Sequence, residues 1–379
     1  MSKNFNIDYS VSFQVEDGVG GKRKASLNKS QQMERLSKNF RFVSLNKTLA
    51  KIIGVYFAAV WTEFAHSVNI LFRKEKPDII FSRTFFGFFY NILSRIYFLK
   101  VVREVHTEFN DDSKIIFKKN IIKKKLGVLV NYFEVKSLKK ADGIIFNNPD
   151  LEDYFIETYG LEKQKTISIY NACDPDEFFP GDKLEARNKL GLTHLPGDVL
   201  LLFIGSAIQW HGLEYLIEVF RIIQKSHPNY YLYIVGLTDS EYNLFLKREY
   251  EDVENLKLID RVPTEAARLY INASDICMVT TAKILISQGS PTKLYDFIAC
   301  GKPVISQKNV RGYGSVVDEH GLGCSIDFMN PVEAASDVIE FVKNTDLEKL
   351  AVHNRKKAVE ELNWENVIKN WIRFANQLK

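Results

Sequence analysis

Short apolar runs alternate with longer stretches whose apolar positions recur at helical spacing, from one end of the chain to the other. In the first half this pattern predicts strands over residues 7–13, 40–45, 78–82, 101–105, 143–146 and 166–170, each followed by a helix-sized segment or a domain boundary. A stretch rich in Pro, Gly and charge, residues 174–196, interrupts the alternation as an interdomain connection would. The pattern then restarts, with strands predicted over 199–204, 230–235, 256–259, 276–280, 303–306 and 324–326. Beyond Pro331, Leu, Ile, Val and Trp recur at helical spacing to the end, the pattern of packing helices. Strand and helix in strict alternation mean parallel sheets covered by helices on both faces. The expected fold class is therefore α/β, two Rossmann-like doubly wound domains facing a central cleft at the carboxyl ends of their strands. The boundaries drawn are 1–180 for an N-terminal acceptor-side domain, 181–360 for a C-terminal domain and 361–379 for a terminal helix.

Size and composition agree with that division. A chain of 379 residues exceeds the roughly 250–300 residues at which single cores stop growing. With 46% hydrophobic and 26% charged residues it has the make-up of a globular protein and ample material for a core. Net charge is +4, unevenly placed: 28 Lys and Arg stand against 21 Asp and Glu through Pro180, and 23 against 26 beyond it. Such a bias, with no zinc-finger or helix-turn-helix signature, argues against a nucleic-acid protein and fits an anionic membrane or phosphorylated acceptor better. Cys173, Cys277, Cys300 and Cys324 lie far apart without CxxC spacing, and no signal peptide is evident, so a reducing cytoplasm is expected. Residues 52–72 are long enough to span a bilayer but carry Glu63 and His66, which reads as an amphipathic or buried helix.

Chemistry concentrates in two segments of the second half. In Gln288-Gly289-Ser290-Pro291-Thr292-Lys293-Leu294-Tyr295-Asp296, small residues and a proline open a helix that ends at Cys300-Gly301. Backbone N–H groups at such a helix start can cradle a diphosphate, and Lys293 adds a positive charge beside them. The segment resembles the donor-binding motif of glycosyltransferase family 4, retaining enzymes of the GT-B architecture. The resemblance implies that the family's two glutamates, one on the donor sugar hydroxyls and one on the ribose, fall here on Gln288 and Asp296. Asp296, if ionised, can accept two ribose hydrogen bonds, whereas Gln288 bonds a hydroxyl but supplies no negative charge. The second segment, Gly205-Ser206-Ala207-Ile208-Gln209-Trp210-His211-Gly212, resembles the family's diphosphate loop. Its customary arginine and lysine are replaced by Ser206 and His211, a hydroxyl and a titratable imidazole.

The same resemblance, weaker over the first half, assigns His106 to the family's cleft histidine that orients the transferred sugar. It assigns Gly20 and Gly21, in a loop that is not GxGxxG, to the loop closing over donor and acceptor. Asp174 and Asp176 form a D-x-D pattern in the connecting segment, which reads as turn chemistry in preference to a metal site. Residues 114–125 mix six lysines with isoleucines and a phenylalanine. Such a run is either a solvated surface or a membrane and acceptor contact through Lys118, Lys119, Lys123, Lys124 and Lys125. The aromatic run at 85–90 fits a lipid-linked acceptor or a buried helix.

The implied activity is retaining transfer of a sugar from a nucleotide-sugar donor, a UDP-sugar, to a glycan or lipid-linked acceptor in assembly of a bacterial surface polysaccharide or glycolipid. His106 and Gln288 would be catalytic. Gly20, Gly21, Gly205, Ser206, His211, Gly289, Ser290, Thr292, Lys293, Leu294 and Asp296 would bind the donor. No cofactor or metal and no nucleic acid is expected, the protein is placed in the cytoplasm or on the inner face of its membrane, and the terminal helix is expected to return to the first domain. Two other readings stay open: a binding or scaffold subunit weakened by loss of two cations and a carboxylate, and a nucleotide-sugar epimerase.

Overall fold

The computed structural model describes residues 6–11, 39–44, 55–83, 86–108, 121–192, 197–282 and 289–378. Its contacts divide it into two units: Met1–Tyr170 with Leu285–Gly289 and Trp364–Lys379, and Asn171–Ile284 with Ser290–Asn363. Residues 171–180, placed by sequence with the first domain, thus fold with the second unit. Hydrogen bonding gives the reason. Arg355 donates to the carbonyls of Pro175 at 3.1 Å, Phe178 at 3.0 Å and Ala299 at 2.8 Å, and Cys173 N–H donates to Leu362 O at 3.0 Å.

The first unit carries strands β1 (Asn6–Val11), β2 (Asn39–Ser44), β3 (Ile79–Arg83), β4 (Lys100–Val105), β5 (Gly143–Phe146) and β6 (Thr166–Ser168). They form one sheet in the order β2-β1-β3-β4-β5-β6, every pair parallel. β5 is buried throughout and β3 over four of its five residues, as expected of a sheet covered on both faces. Helices α1 (Val55–Phe72), α2 (Phe88–Tyr97), α3 (Ile121–Leu138) and α4 (Pro149–Tyr159) lie between the strands.

Among the described residues no helix is long and apolar enough to cross a membrane. α1 instead buries its polar positions: Glu63 is fully buried and accepts hydrogen bonds from the N–H groups of Gly87 and Phe89, both at 2.8 Å, at the start of α2. A carboxylate suits the positive end of a helix. Burial nevertheless outweighs the nearby Arg103 and these amides, and holds the Glu63 carboxyl above its ordinary range. Phe57, Trp61 and Phe72 of the same helix are exposed.

In the second unit, β7 (Val199–Ile204), β8 (Tyr230–Leu237), β9 (Leu256–Asp260), β10 (Ile276–Val279), β11 (Val304–Gln307) and β12 (Gly323–Ile326) form a parallel sheet in the order β12-β11-β10-β7-β8-β9. Its helices are α5 (Lys183–Lys189), α6 (Leu213–Ser226), α7 (Glu241–Glu249), α8 (Thr264–Ala273), α9 (Thr292–Ala299), α10 (Gly314–His320), α11 (Pro331–Asn344) and α12 (Leu347–Glu360). Phe203, Leu216, Phe220, Ile234 and Met278 lie in its core. Strand order reverses between β7 and β10, and open α/β sheets bind ligands beyond the carboxyl ends of the strands at such a point.

The final helix, α13 (Trp364–Gln377), is built into the first unit. Trp371 is buried with its ring 5.4 Å from that of Phe81. Lys100 of β4 donates to the carbonyls of Ala375 at 3.0 Å and Leu378 at 2.6 Å, a cation on free carbonyls at the end of a helix. Removing the buried indole leaves a cavity in the first unit's core. Trp371→Ala is therefore expected to lower stability by about 3 kcal/mol or more, read as a fall in the denaturant midpoint at unchanged slope.

Candidate functional site

The loop after β7 turns on Gly205, whose φ of 143° favours glycine. A Cβ there would also stand 2.9 Å from Lys293 Nζ. Gly236 at the end of β8 leaves room for the same loop, since a Cβ on it would fall 2.0 Å from the Gly205 carbonyl oxygen. The loop then forms a short 3-10 turn, Gln209–His211, before α6 begins. The segment after β10 holds that turn in place: Thr280 Oγ1 donates to His211 O at 2.7 Å, and Thr281 Oγ1 and Ala282 N–H donate to Trp210 O, both at 3.0 Å. The turn is thus fixed beside the strand reversal.

Lys293, in the first turn of α9, brings its ammonium 3.4 Å from His211 Nε2 and 3.8 Å from the centroid of the Phe203 ring. An ammonium can only donate, so Nε2 accepts in this contact and His211 steadies Lys293. Ser206 Oγ accepts from Arg261 Nη2 at 3.3 Å. Arg261 follows β9, far from Ser206 in sequence, and nothing in a linear reading marked it.

The other donor-segment residues divide. Thr292 opens α9, where its backbone N–H lies at the helix start. Ser290 is spoken for: its hydroxyl accepts from Asn171 N–H at 3.1 Å and pairs with the Tyr295 hydroxyl at 3.1 Å, while its carbonyl accepts from the Asn171 amide. Leu294 is fully buried and its N–H donates to Pro291 O at 3.2 Å, so it packs the helix and offers a ligand neither side chain nor free amide. Asp296 also departs from expectation. Burial, with the carboxylates of Glu177 and Asp174 adding to it, pushes its carboxyl well above the ordinary carboxylate range, favouring a protonated group in place of an anion. Asp174 itself closes a turn, accepting from the N–H groups of Asp176 at 3.0 Å and Glu177 at 3.3 Å. Among the described residues no three His, Cys, Asp or Glu side chains are grouped to hold a metal ion.

His106 belongs to the first unit, immediately after β4. Its Nε2–H donates to Glu104 Oε1 at 2.5 Å, and its Nδ1 accepts from Asn147 Nδ2 at 3.3 Å. The carboxylate fixes the tautomer. A reversed Asn147 amide would present oxygen to a doubly protonated ring, so this partner can follow either charge state. Asn148 Nδ2 donates to the carbonyl of Gly289 at 2.7 Å, while Asn148 Oδ1 caps α4 at Asp150 N–H, 2.7 Å away. Glu108 accepts at 2.7 Å from Tyr159 OH, which accepts in turn from Asn131 Nδ2 at 2.9 Å, anchoring the loop after His106 to α3 and α4. Gly20, Gly21, Gln288, Lys118 and Lys119 lie outside the described residues, and Lys123, Lys124 and Lys125 are described only as backbone in α3.

All four cysteines are free. Burial pushes the thiols of Cys277 and Cys324 up to about 12, and those of Cys173 and Cys300 higher still, so none is poised as a nucleophile.

Comparison with known proteins places this arrangement. The family model described as glycosyltransferase family 4 matches residues 50–177, and that described as glycosyl transferases group 1 matches residues 185–358. An uncharacterized glycosyltransferase of Haemophilus influenzae is 24% identical over 57% of this chain, a match that spans 57% of that relative's length. Sucrose-phosphate synthase of Thermosynechococcus elongatus superimposes with a TM-score of 0.74 at 15% identity, over 98% of this chain and 99% of that one. HepE of Anabaena, solved in complex with UDP-glucose, superimposes with a TM-score of 0.69 at 16% identity, over 99% of this chain and 100% of its own. At such identities the likeness establishes the fold, which is GT-B.

The Asp296 carboxyl generates a sign. Its folded pKa lies above the unfolded value near 4, so the stability it allows is present in acid and is lost as pH rises through the folded pKa. Asp296→Asn should therefore melt higher than the parent at pH 7.5, with the difference shrinking towards pH 4; a variant less stable at pH 7.5 than at pH 4 relative to the parent would mean that the group is ionised and paired.

Proposed function

The chain belongs to glycosyltransferase family 4, and on that premise we propose that it moves a sugar from a nucleotide sugar, a UDP-sugar, to a glycan or lipid-linked acceptor with retention of configuration. One observation carries the reading: Lys293, at the start of α9, stands over the Gly205 turn beside the strand reversal. A helix start, a glycine turn and an ammonium together suit a diphosphate. HepE, a structural neighbour, was solved with UDP-glucose, which supports uridine as the base.

In this mechanism Lys293, Ser206 and the backbone N–H of Thr292 hold the leaving diphosphate and take up its growing charge as the glycosidic bond breaks. His211 keeps the ammonium in place. His106, its tautomer set by Glu104, bonds a hydroxyl of the transferred sugar, with Gln288 as a second hydrogen-bonding group. Asp296 addresses the ribose hydroxyls. No metal is assigned a role. UDP or its sugar at 100 times the dissociation constant should stabilise the fold by about 2.7 kcal/mol, and Lys293→Ala should remove most of that gain. If none of UDP, GDP, ADP, CMP or their sugars shifts the melting curve, the binding-subunit reading takes precedence.

The acceptor side of the proposal rests on the exterior of the first unit. Trp61 and Phe64 of α1 and Phe88 and Phe89 of α2 form an aromatic ladder with ring centroids 5.3–5.9 Å apart, and Trp61 is 55% exposed. On α3, Val128, Leu129, Tyr132 and Phe133 are exposed one turn apart. The only acids in these three helices, Glu63 and Glu134, are buried, whereas Arg95 and Lys136 supply positive charge. Such a surface matches an anionic bilayer, where a lipid-linked acceptor resides. The full chain should sediment with phosphatidylcholine vesicles containing phosphatidylglycerol and not with pure phosphatidylcholine. Replacing Trp61 and Phe88 by Ser should release it; equal recovery with both vesicle types, or no effect of the replacements, would remove the membrane from the proposal.

A further inference from the structure

Both ring nitrogens of His106 are engaged within the first unit. Nε2–H donates to Glu104 Oε1 at 2.5 Å, and Nδ1 accepts from Asn147 Nδ2 at 3.3 Å. A ring so placed can bond a sugar hydroxyl only where one of these partners yields. The two contacts are unequal. That to Glu104 is short and joins a carboxylate, whereas that to Asn147 is long and lacks the charge assistance that roughly doubles a hydrogen bond's strength. Asn147 is therefore the partner that gives way. Its backbone stays fixed directly after β5, its N–H donating to Val105 O at 3.2 Å, so only the amide has to move. Nothing anchors the far side of that amide: Oδ1 is buried and has no hydrogen-bond partner among the described residues. Gly289 adds no side chain beside it. A Cβ there would stand 3.2 Å from Asn147 Nδ2, and Asn148 Nδ2 keeps the bare residue in place by donating to its carbonyl at 2.7 Å. The His106 side chain is 16% exposed, which leaves an edge of the ring within reach of a ligand.

We propose that Asn147 binds the transferred sugar together with His106: one sugar hydroxyl enters between them, accepting from Asn147 Nδ2 and donating to His106 Nδ1. This rests on the reading of His106 as the histidine that meets the sugar, and adds the residue with which it shares the hydroxyl. A hydroxyl both donates and accepts, so it replaces one amide-to-ring contact by two bonds of its own. The amide reaches it from an anchored backbone, and Glu104 keeps Nε2, and with it the ring's tautomer, throughout. The pair thereby selects the donor. A sugar without a hydroxyl at that position gains neither bond.

The test is calorimetric titration of the full chain with UDP, UDP-glucose and the monodeoxy forms of UDP-glucose, for the parent, Asn147→Leu, Asn147→Ser and His106→Gln. Leucine keeps the volume and loses both ends of the amide. Serine is smaller and too short to reach the ring, and serves where leucine disturbs folding. The parent should bind one deoxy donor about tenfold or more weakly than UDP-glucose. Both Asn147 variants should bind UDP within about twofold of the parent and UDP-glucose about tenfold more weakly, with that deoxy donor no longer set apart. Discrimination unchanged in both variants would overturn the assignment. So would a parallel loss of UDP and UDP-glucose, the mark of a residue that only supports the fold, or a parent with no preference among the sugars. His106→Gln checks the underlying reading on its own: if it keeps both the affinity for UDP-glucose and the discrimination, the histidine does not meet the sugar and the shared hydroxyl falls with it. A parent that binds neither UDP nor UDP-glucose would overturn the donor reading altogether.

Discussion

The second unit depends on one close contact, the passage of the Gly205 carbonyl over Gly236 at the carboxyl ends of β7 and β8. No side chain fits at Gly236, and Gly205 adopts a backbone conformation that other residues rarely take. The loop is thereby held low against the sheet, with room above it for the Lys293 ammonium. Hydrogen bonds from Thr280 and Thr281 then tie the following turn to the segment after β10, so the ends of three strands fix the geometry of one loop. Preorganisation of this kind matters for a phosphate site, because groups already oriented need not be ordered when the ligand arrives.

The first unit solves a different problem. Burying a carboxylate and a guanidinium is costly, of the order of several kcal/mol per ion before compensation. Here Glu63 is compensated by two amide bonds from the start of α2 and by the charge of Arg103, which itself donates to Ser137 Oγ at 2.8 Å. Space for Arg103 exists only because residue 87 is glycine: a Cβ there would lie 1.4 Å from Arg103 Nη1. The network fixes α1, α2 and α3 to one another with their polar groups inward. Away from this network, Phe57, Trp61, Phe64 and Phe72 of α1 and Phe88 of α2 are exposed, while Tyr90 of α2 is buried.

The strand pattern was legible because it repeats a local rule. Every predicted strand coincides with an observed one to within a few residues: 78–82 with β3, 143–146 with β5, 199–204 with β7. A buried parallel strand is a short apolar run whatever lies beside it. The start of α9 was legible for a similar reason, since its proline, Lys293 in its first turn and glycine at the preceding bend are near neighbours in sequence. Leu294, assigned to the donor site from its place beside Lys293, is buried, because proximity in sequence says nothing about which face of the helix a residue occupies. Asp296 was read as an anion because nothing near it in the chain reveals its burial, with Glu177 and Asp174 beside it, which raises its pKa.

The sequence by itself determined the class of fold, the succession of strands and helices, and the positions of the glycine turn, Lys293 and His106, all of which depend on residues within a few places of one another. Tertiary structure alone decided that Arg261 meets Ser206, that Glu104 and Asn147 hold His106, that Asp296 is disposed to keep its proton, that residues 171–180 fold with the second unit, and that α1 turns its aromatic rings outward. The physical reason is range. Backbone preference and hydrophobic period are set by neighbours along the chain, whereas charge, proton position and exposure are set by neighbours in space.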